Sequence, residues 1–255
     1  MARSVDEGAR LSPRRVAAPG LEIRAKLQES YADVFTSVVR AALDALAELE
    51  NDRREVMAGR LRRRARRALE GAKIGFLDPE ALIPRTTIRV EDARAGGFRG
   101  GEIPRDLERQ WIQGTGPGAR PNTPVERSIR NVAYALLSGA DGWMFDGEDA
   151  LGQRSTTSLD NQQNLCLAIS RDPVFLSTAA GVAREMNQWS ETFLGREIVP
   201  EWKEQLDFTT VIFRARGLHL DDRHVRCGDG TGFSASIVDA VLFVVLNHDA
   251  LTAAG

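Results

Sequence analysis

The sequence has 255 residues, 42% hydrophobic and 27% charged, and 34 Lys and Arg against 36 Asp and Glu leave a net charge of −2. This is globular composition, enough for one large domain or two small ones. No run approaches the roughly 18 apolar residues of a membrane span, and the N-terminus lacks the apolar stretch of a signal peptide, so a cytoplasmic protein without a membrane partner is expected.

Charge is unevenly spread. Residues 1–130 carry 25 Lys and Arg against 19 Asp and Glu, a balance of +6, which leaves −8 for the remainder. Cys166 and Cys227 stand alone without metal-ligand spacing and read as reduced, structural thiols.

Residues 1–18 are polar and contain proline, which predicts disorder. From Leu21 to Leu49 apolar residues recur at helical spacing and predict one long amphipathic helix. A second helix is expected from Asp52 to Glu70, with Gly71 as its stop. It contains six arginines between Arg60 and Arg67. Such a run is either a polyanion site or a solvated helix face. No aromatic residues interleave to stack bases, which favours the solvated face and no nucleic-acid partner.

Residues 72–122 are punctuated by glycine and proline and read as loops, with Arg109 to Gln113 as a short strand. The Gly114-Thr115-Gly116-Pro117-Gly118 stretch lacks the Gly-Lys-Ser/Thr ending of a phosphate loop. Thr123-Pro124-Val125-Glu126 starts a helix that Gly139 ends. Gly142 to Asp146 follows as a strand, and helices are expected from Ser158 or Asp160 to Ile169 and from Phe175 to Leu194. Phe208 to Phe213 is β-branched and aromatic without alternation, the pattern of a buried parallel strand. Ser236 to Leu251 is again helical and strongly apolar.

Helix, strand, helices, strand, helix is an α/β order. In such folds active groups project from the C-terminal ends of strands. Asp146, Glu148, Asp149, Arg214 and Arg216 fall there. Grouped carboxylates and guanidiniums are either a site or the salt bridges that hold two strand ends together.

Two of these stretches resemble a known family. Met144-Phe145-Asp146-Gly147-Glu148-Asp149-Ala150 resembles the acidic M-x-D-F-E-D stretch of malate synthases. Phe213-Arg214-Ala215-Arg216-Gly217-Leu218-His219-Leu220-Asp221-Asp222-Arg223-His224-Val225 resembles that family's R-x-R-G-x-H-L-x-x-x-H-V segment. Ile103-Pro104 and Gly114-Thr115-Gly116-Pro117 fall where the family has its I-P and I-T-G-P elements. Gly147 departs from the family's usual Phe, and Gly152-Gln153-Arg154 from its usual continuation.

The resemblance implies an enzyme that condenses acetyl-CoA with glyoxylate and hydrolyses the thioester to malate and CoA. It implies a TIM-type barrel with an N-terminal helical region, and Mg2+ chelating the glyoxylate. By motif position Arg214 would steady the enolate. Asp146 and Glu148 would support hydrated Mg2+, and Arg216 would hold a carboxylate or shape the pocket. Residues 19–100 would be the helical region and residues 101–255 a partial barrel. An eight-fold barrel takes about 250 residues, so only its first three or four strands are expected here. The family's direct Mg2+ ligands and its catalytic Asp would lie beyond the position of Gly255. Two alternatives remain open. One is a non-catalytic chain that needs a partner or associates through an open barrel edge. The other is an acyl-CoA lyase of the citrate lyase β-subunit type.

Overall fold

The computed structural model describes residues 20–97, 100–103, 105, 108, 110–115, 125–148 and 156–254. The disorder expected for residues 1–18, the helix start at Thr123 and Pro124, Asp149, and the glycines at 116 and 118 lie outside the described residues.

Where one long helix is expected from Leu21, the chain forms three elements: β1 (Leu21–Ile23), α1 (Leu27–Ser30) and α2 (Ser37–Leu46). Apolar periodicity ran across breaks made by the backbone. Ala25 takes φ 45°, in the left-handed region, which closes β1. Thr36 is extended, and its hydroxyl accepts a hydrogen bond from the Val39 N–H at 3.2 Å, which opens α2. The second helix is present as α3 (Leu49–Leu69), followed by Gly71 at φ 62°.

After the single turn of α4 (Val90–Arg94), β2 (Trp111–Thr115) begins a parallel sheet. The helix α5 (Val125–Leu136) leads to β3 (Gly142–Asp146). Three helices, α6 (Thr157–Ile169), α7 (Pro173–Leu194) and α8 (Trp202–Phe208), lead to β4 (Thr210–Arg214). Asp172 caps α7 by accepting from the Val174 N–H, and Pro173 fills the first helical position. Sheet order is β2–β3–β4, all parallel, so the three C-terminal ends lie side by side. The chain is therefore of α/β class.

Two short strands and a helix complete the fold. β5 (Asp221–Cys227) and β6 (Gly232–Ser234) join β1 in an antiparallel sheet of order β1–β5–β6, and α9 (Ala235–Ala254) follows. One core, with Trp143, Phe145, Leu136, Phe175 and Leu206, lies around the parallel sheet and its helices. The other, with Val34, Phe35, Val39, Leu43, Val225 and Phe233, joins α2 to the antiparallel sheet and α9. By length and composition α9 would suffice to cross a membrane, contrary to the expectation that no run approaches such a span. Here it packs against α2, α6 and β5 and carries a buried carboxylate, Asp239.

Phe175 is completely buried in the first core. Phe175→Ala is expected to cost about 3–5 kcal/mol in urea unfolding. The Tyr31 hydroxyl donates to Asp160 Oδ1 at 2.6 Å and ties the end of α1 to α6. Burial, helped by this bond, raises the Tyr31 pKa to about 12. The folded state thus prefers the neutral phenol. That contribution is intact below the ordinary tyrosine pKa of about 10 and is lost as pH climbs towards 12. A phenolate absorbance titration should show a late component near pH 12 that Tyr31→Phe removes; superimposable curves would refute the contact.

Candidate functional site at the strand ends

Register brings the first pair of charges together. Asp146 ends β3, Arg214 ends β4, and the two residues are paired across the sheet. Arg214 Nη1 donates to Asp146 Oδ2 at 2.6 Å, and Nη2 donates to Glu148 Oε2 at 3.2 Å. From β2, the Gln113 side-chain amide donates to the same Asp146 oxygen. The Glu148 N–H donates to Asp146 Oδ1 at 3.0 Å. Asp146 is fully buried, and these donors offset the cost of removing its charge from water. All three parallel strands therefore contribute to one polar cluster. His219 stands at its edge, half-exposed, with Nε2 3.9 Å from Glu148 Oε1.

Gly147 has a steric reason. Its N–H donates to the Arg214 carbonyl at 2.9 Å, and a Cβ there would lie 2.9 Å from the same oxygen. The residue that departs from the family's usual Phe is one at which a Cβ would crowd the backbone at the end of β4.

Arg216, two residues past β4, is 2% exposed. Its backbone N–H and Nε both donate to Asp239 Oδ2, at 2.9 and 2.8 Å. Its Nη2 donates to Asp239 Oδ1 and Asp222 Oδ2, each at 2.7 Å. Asp222 in turn accepts the His224 and Val225 N–H groups. Burial opposes the charge on Arg216, but the hydrogen bonds and charges of both carboxylates outweigh it and hold the guanidinium above its ordinary pKa. Burial also pushes the Asp239 carboxyl up, against the pull of Arg216. Geometry decides between these opposing pulls. A carboxylate that accepts three hydrogen bonds from one arginine is best ionised. The carboxylates Arg216 holds are the protein's own, contributed by β5 and α9.

Gln113, Asp222 and Asp239 complete the cluster but were not singled out from the sequence. Asp239 carried a signal, as the single acid in the apolar run from Ala235 to Asn247. Gln113 carried none, because only sheet register brings it to Asp146.

The space beneath the strand ends, bordered by Phe145, Gln162, Phe213 and Arg216, is a cavity of about 10 Å³. That is room for one water molecule at most. Among the described residues the cluster is open on its outer side, where the Arg214 side chain is 44% exposed. Two of its five N–H donors serve Asp146 and Glu148, which leaves the others for a ligand among the described residues.

The described residues do not compose a Mg2+ ligand set. No group of three or more His, Cys, Asp or Glu converges among them. Both Asp146 oxygens already accept hydrogen bonds, and the Arg214 guanidinium stands between Asp146 and Glu148.

The two arginines should separate in unfolding experiments. Arg216→Ala leaves two buried carboxylates without their cation and is expected to cost about 3–5 kcal/mol in urea unfolding. Arg214→Ala removes one of the donors to the buried Asp146 but leaves Gln113 and the Glu148 N–H in place, so it is expected to cost less, about 1–3 kcal/mol.

No protein-family model matches the chain. Sequence comparison finds malate synthases. That of Streptomyces clavuligerus is 29% identical over 206 residues, 79% of this chain and 32% of the relative. That of Dictyostelium discoideum is 27% identical over 232 residues, 91% of this chain and 36% of the relative. Malate synthase A of Escherichia coli is 27% identical over 177 residues, 69% of this chain and 27% of the relative. The chain spans about a third of the length of these curated relatives. Over most of its residues the chain is similar to malate synthases.

Proposed function

We propose that this chain forms part of a glyoxylate-condensing acyltransferase of malate synthase type, acting on acetyl-CoA and glyoxylate in the cytoplasm. The observation that carries the reading is Arg214, a guanidinium fixed at a strand C-terminal end with donors still open to solvent. Its support is the similarity to malate synthases over most of the chain. In this reading β2, β3 and β4 are the first part of a TIM-type barrel, whose sites lie on the face where these strands end.

The chemistry follows from charge. Removing a proton next to a thioester builds negative charge on the carbonyl oxygen. A preoriented guanidinium beside that oxygen stabilises the transition state more than the ground state. Arginine suits the role because it stays protonated and presents a rigid fork of donors. Asp146 and Glu148 hold that fork from behind, and Gln113 and the Glu148 N–H orient Asp146. Mg2+ enters as a requirement of the reaction and not through ligands among the described residues.

The same site favours a second, narrower reading. Asp146 is buried and fully engaged, and Glu148 is paired with Arg214. Neither is free to act as the proton-abstracting base, so that group must come from outside the described residues, on this polypeptide or on a partner.

The test uses protein expressed from the full coding sequence. Thiol release from acetyl-CoA should require glyoxylate and Mg2+, and Arg214→Lys should lower kcat by about 100-fold or more. Folded protein that shows neither glyoxylate-dependent thiol release nor glyoxylate binding would sink the assignment. Condensation without thioester hydrolysis would point to the lyase class.

A further inference from the structure

The arginine-rich stretch takes no part in the strand-end site. The first half of α3 is anchored. Glu50 is buried and accepts from Arg53 Nε and the Ser234 N–H, each at 2.8 Å. Arg53 also donates to Asp221, and Arg54 to Thr231 and Gly232. Beyond this anchor, every residue from Arg60 to Glu80 is exposed. Residues 60–77 hold six Arg and one Lys against one Glu, a charge of +6, so the rest of the chain must carry −8 to give the total of −2.

This arm has two faces. At about 100° per residue the six arginines fill an arc of about 200°, and Met57, Leu61, Ala65, Ala68 and Leu69 occupy the remainder. Leu61 and Leu69 are 62% and 89% exposed, and Phe76 just beyond the helix is 94% exposed. Among the described residues these arginines make a single ion pair, Arg66 with Glu70 at 3.9 Å. Like charges three and four residues apart destabilise the helix, so an anionic partner would stabilise it.

A matching surface lies elsewhere on the same chain. Ile198 to Glu201 and α8 line an open groove of about 430 Å³. It sits by the N-terminal ends of β3 and β4, where Gln205 donates to the Ala140 carbonyl, away from the strand-end cluster. Ile198 and Phe208 are exposed within it, and Trp189 and Phe193 stack on each other, also exposed, on nearby α7. Glu197, Glu201, Glu204 and Asp207 are exposed around it. The groove thus offers acids and apolar side chains to a helix that carries cations and apolar side chains. Among the described residues, the arm and Ile198 and Glu201 on the rim of the groove are exposed to solvent.

We propose that the Arg60–Leu77 arm of one copy docks in the α8 groove of a second copy of this chain. The contact is head-to-tail, so it builds closed rings or open chains according to the angle between copies. Its apolar stripe sits on Ile198 and Phe208, and its arginines face the surrounding carboxylates.

The test is a charge exchange read by sedimentation velocity. The unmodified protein should assemble with rising concentration at low salt, and assembly should weaken at least tenfold at about 0.5 M salt. Arg63→Glu/Arg67→Glu and Glu201→Arg/Glu204→Arg should each give monomers with unchanged circular dichroism, since all four side chains are exposed. An equimolar mixture of the two variants should assemble again. A monomer at every concentration, assembly that survives Arg63→Glu/Arg67→Glu, or variants that stay separate on mixing would each overturn the proposal. So would a monomer that shifts only when double-stranded DNA is added.

Discussion

Arg216 and its two carboxylates are the joint on which the molecule depends. The loop after β4 supplies the cation, β5 supplies Asp222, and α9 supplies Asp239. An unpaired charge at this depth would cost several kcal/mol, so the three elements are held in the one arrangement that pairs all three groups. The parallel sheet, the antiparallel sheet and the last helix meet here. The strand-end cluster is built directly on this joint, because Arg214 lies two residues before Arg216 and its carbonyl is fixed by the Gly147 N–H.

The same alternation of environment gives two arginines opposite roles. Arg214 and Arg216 are close neighbours in one motif, and by residue type nothing separates them. One is enclosed by protein, with Nε and Nη2 on fixed carboxylates and Nη1 buried without a partner among the described residues, so it acts as framework. The other keeps two donors on carboxylates and turns its remaining donors to water. A guanidinium is useful to a reacting substrate only if it is fixed yet not enclosed. Arg214 meets both conditions because Asp146 is itself immobilised by Gln113 and by the turn at Glu148.

Much of this was legible in the sequence, and the failures have physical causes. The strands ending at Asp146 and Arg214 were legible because unbroken β-branched and aromatic runs with flanking glycines leave few alternatives. Asp146, Glu148 and Arg214 could be placed at one end of the sheet from α/β order alone. The single helix expected from Leu21 to Leu49 fails because periodicity is blind to backbone reversals: Leu21 and Ile23 belong to a strand and pair with Cys227 and Val225. The part played by Arg216 could not be read either, since its partners lie 6 and 23 residues away on elements whose packing no local pattern specifies. β5 escaped because its buried positions include Asp222 and His224, so burial alternates where hydrophobicity does not, and β6 because it is only three residues long.

The pairing of β1 with β5 has a consequence for how the chain assembles. Leu21 meets Cys227 across 206 residues of sequence, and the second core draws its members from both ends of that interval. The buried members of the first core all lie between Ile129 and Leu206, a much shorter interval. Contacts between distant parts of a chain form late because loop closure must precede them. At about 5–20 residues per second of synthesis, Val34, Phe35, Val39 and Leu43 wait on the order of 10–40 s, with their apolar face open, for β5, β6 and α9 to emerge. The segment from Val34 through α2 is therefore the part most in need of protection while the protein is being made.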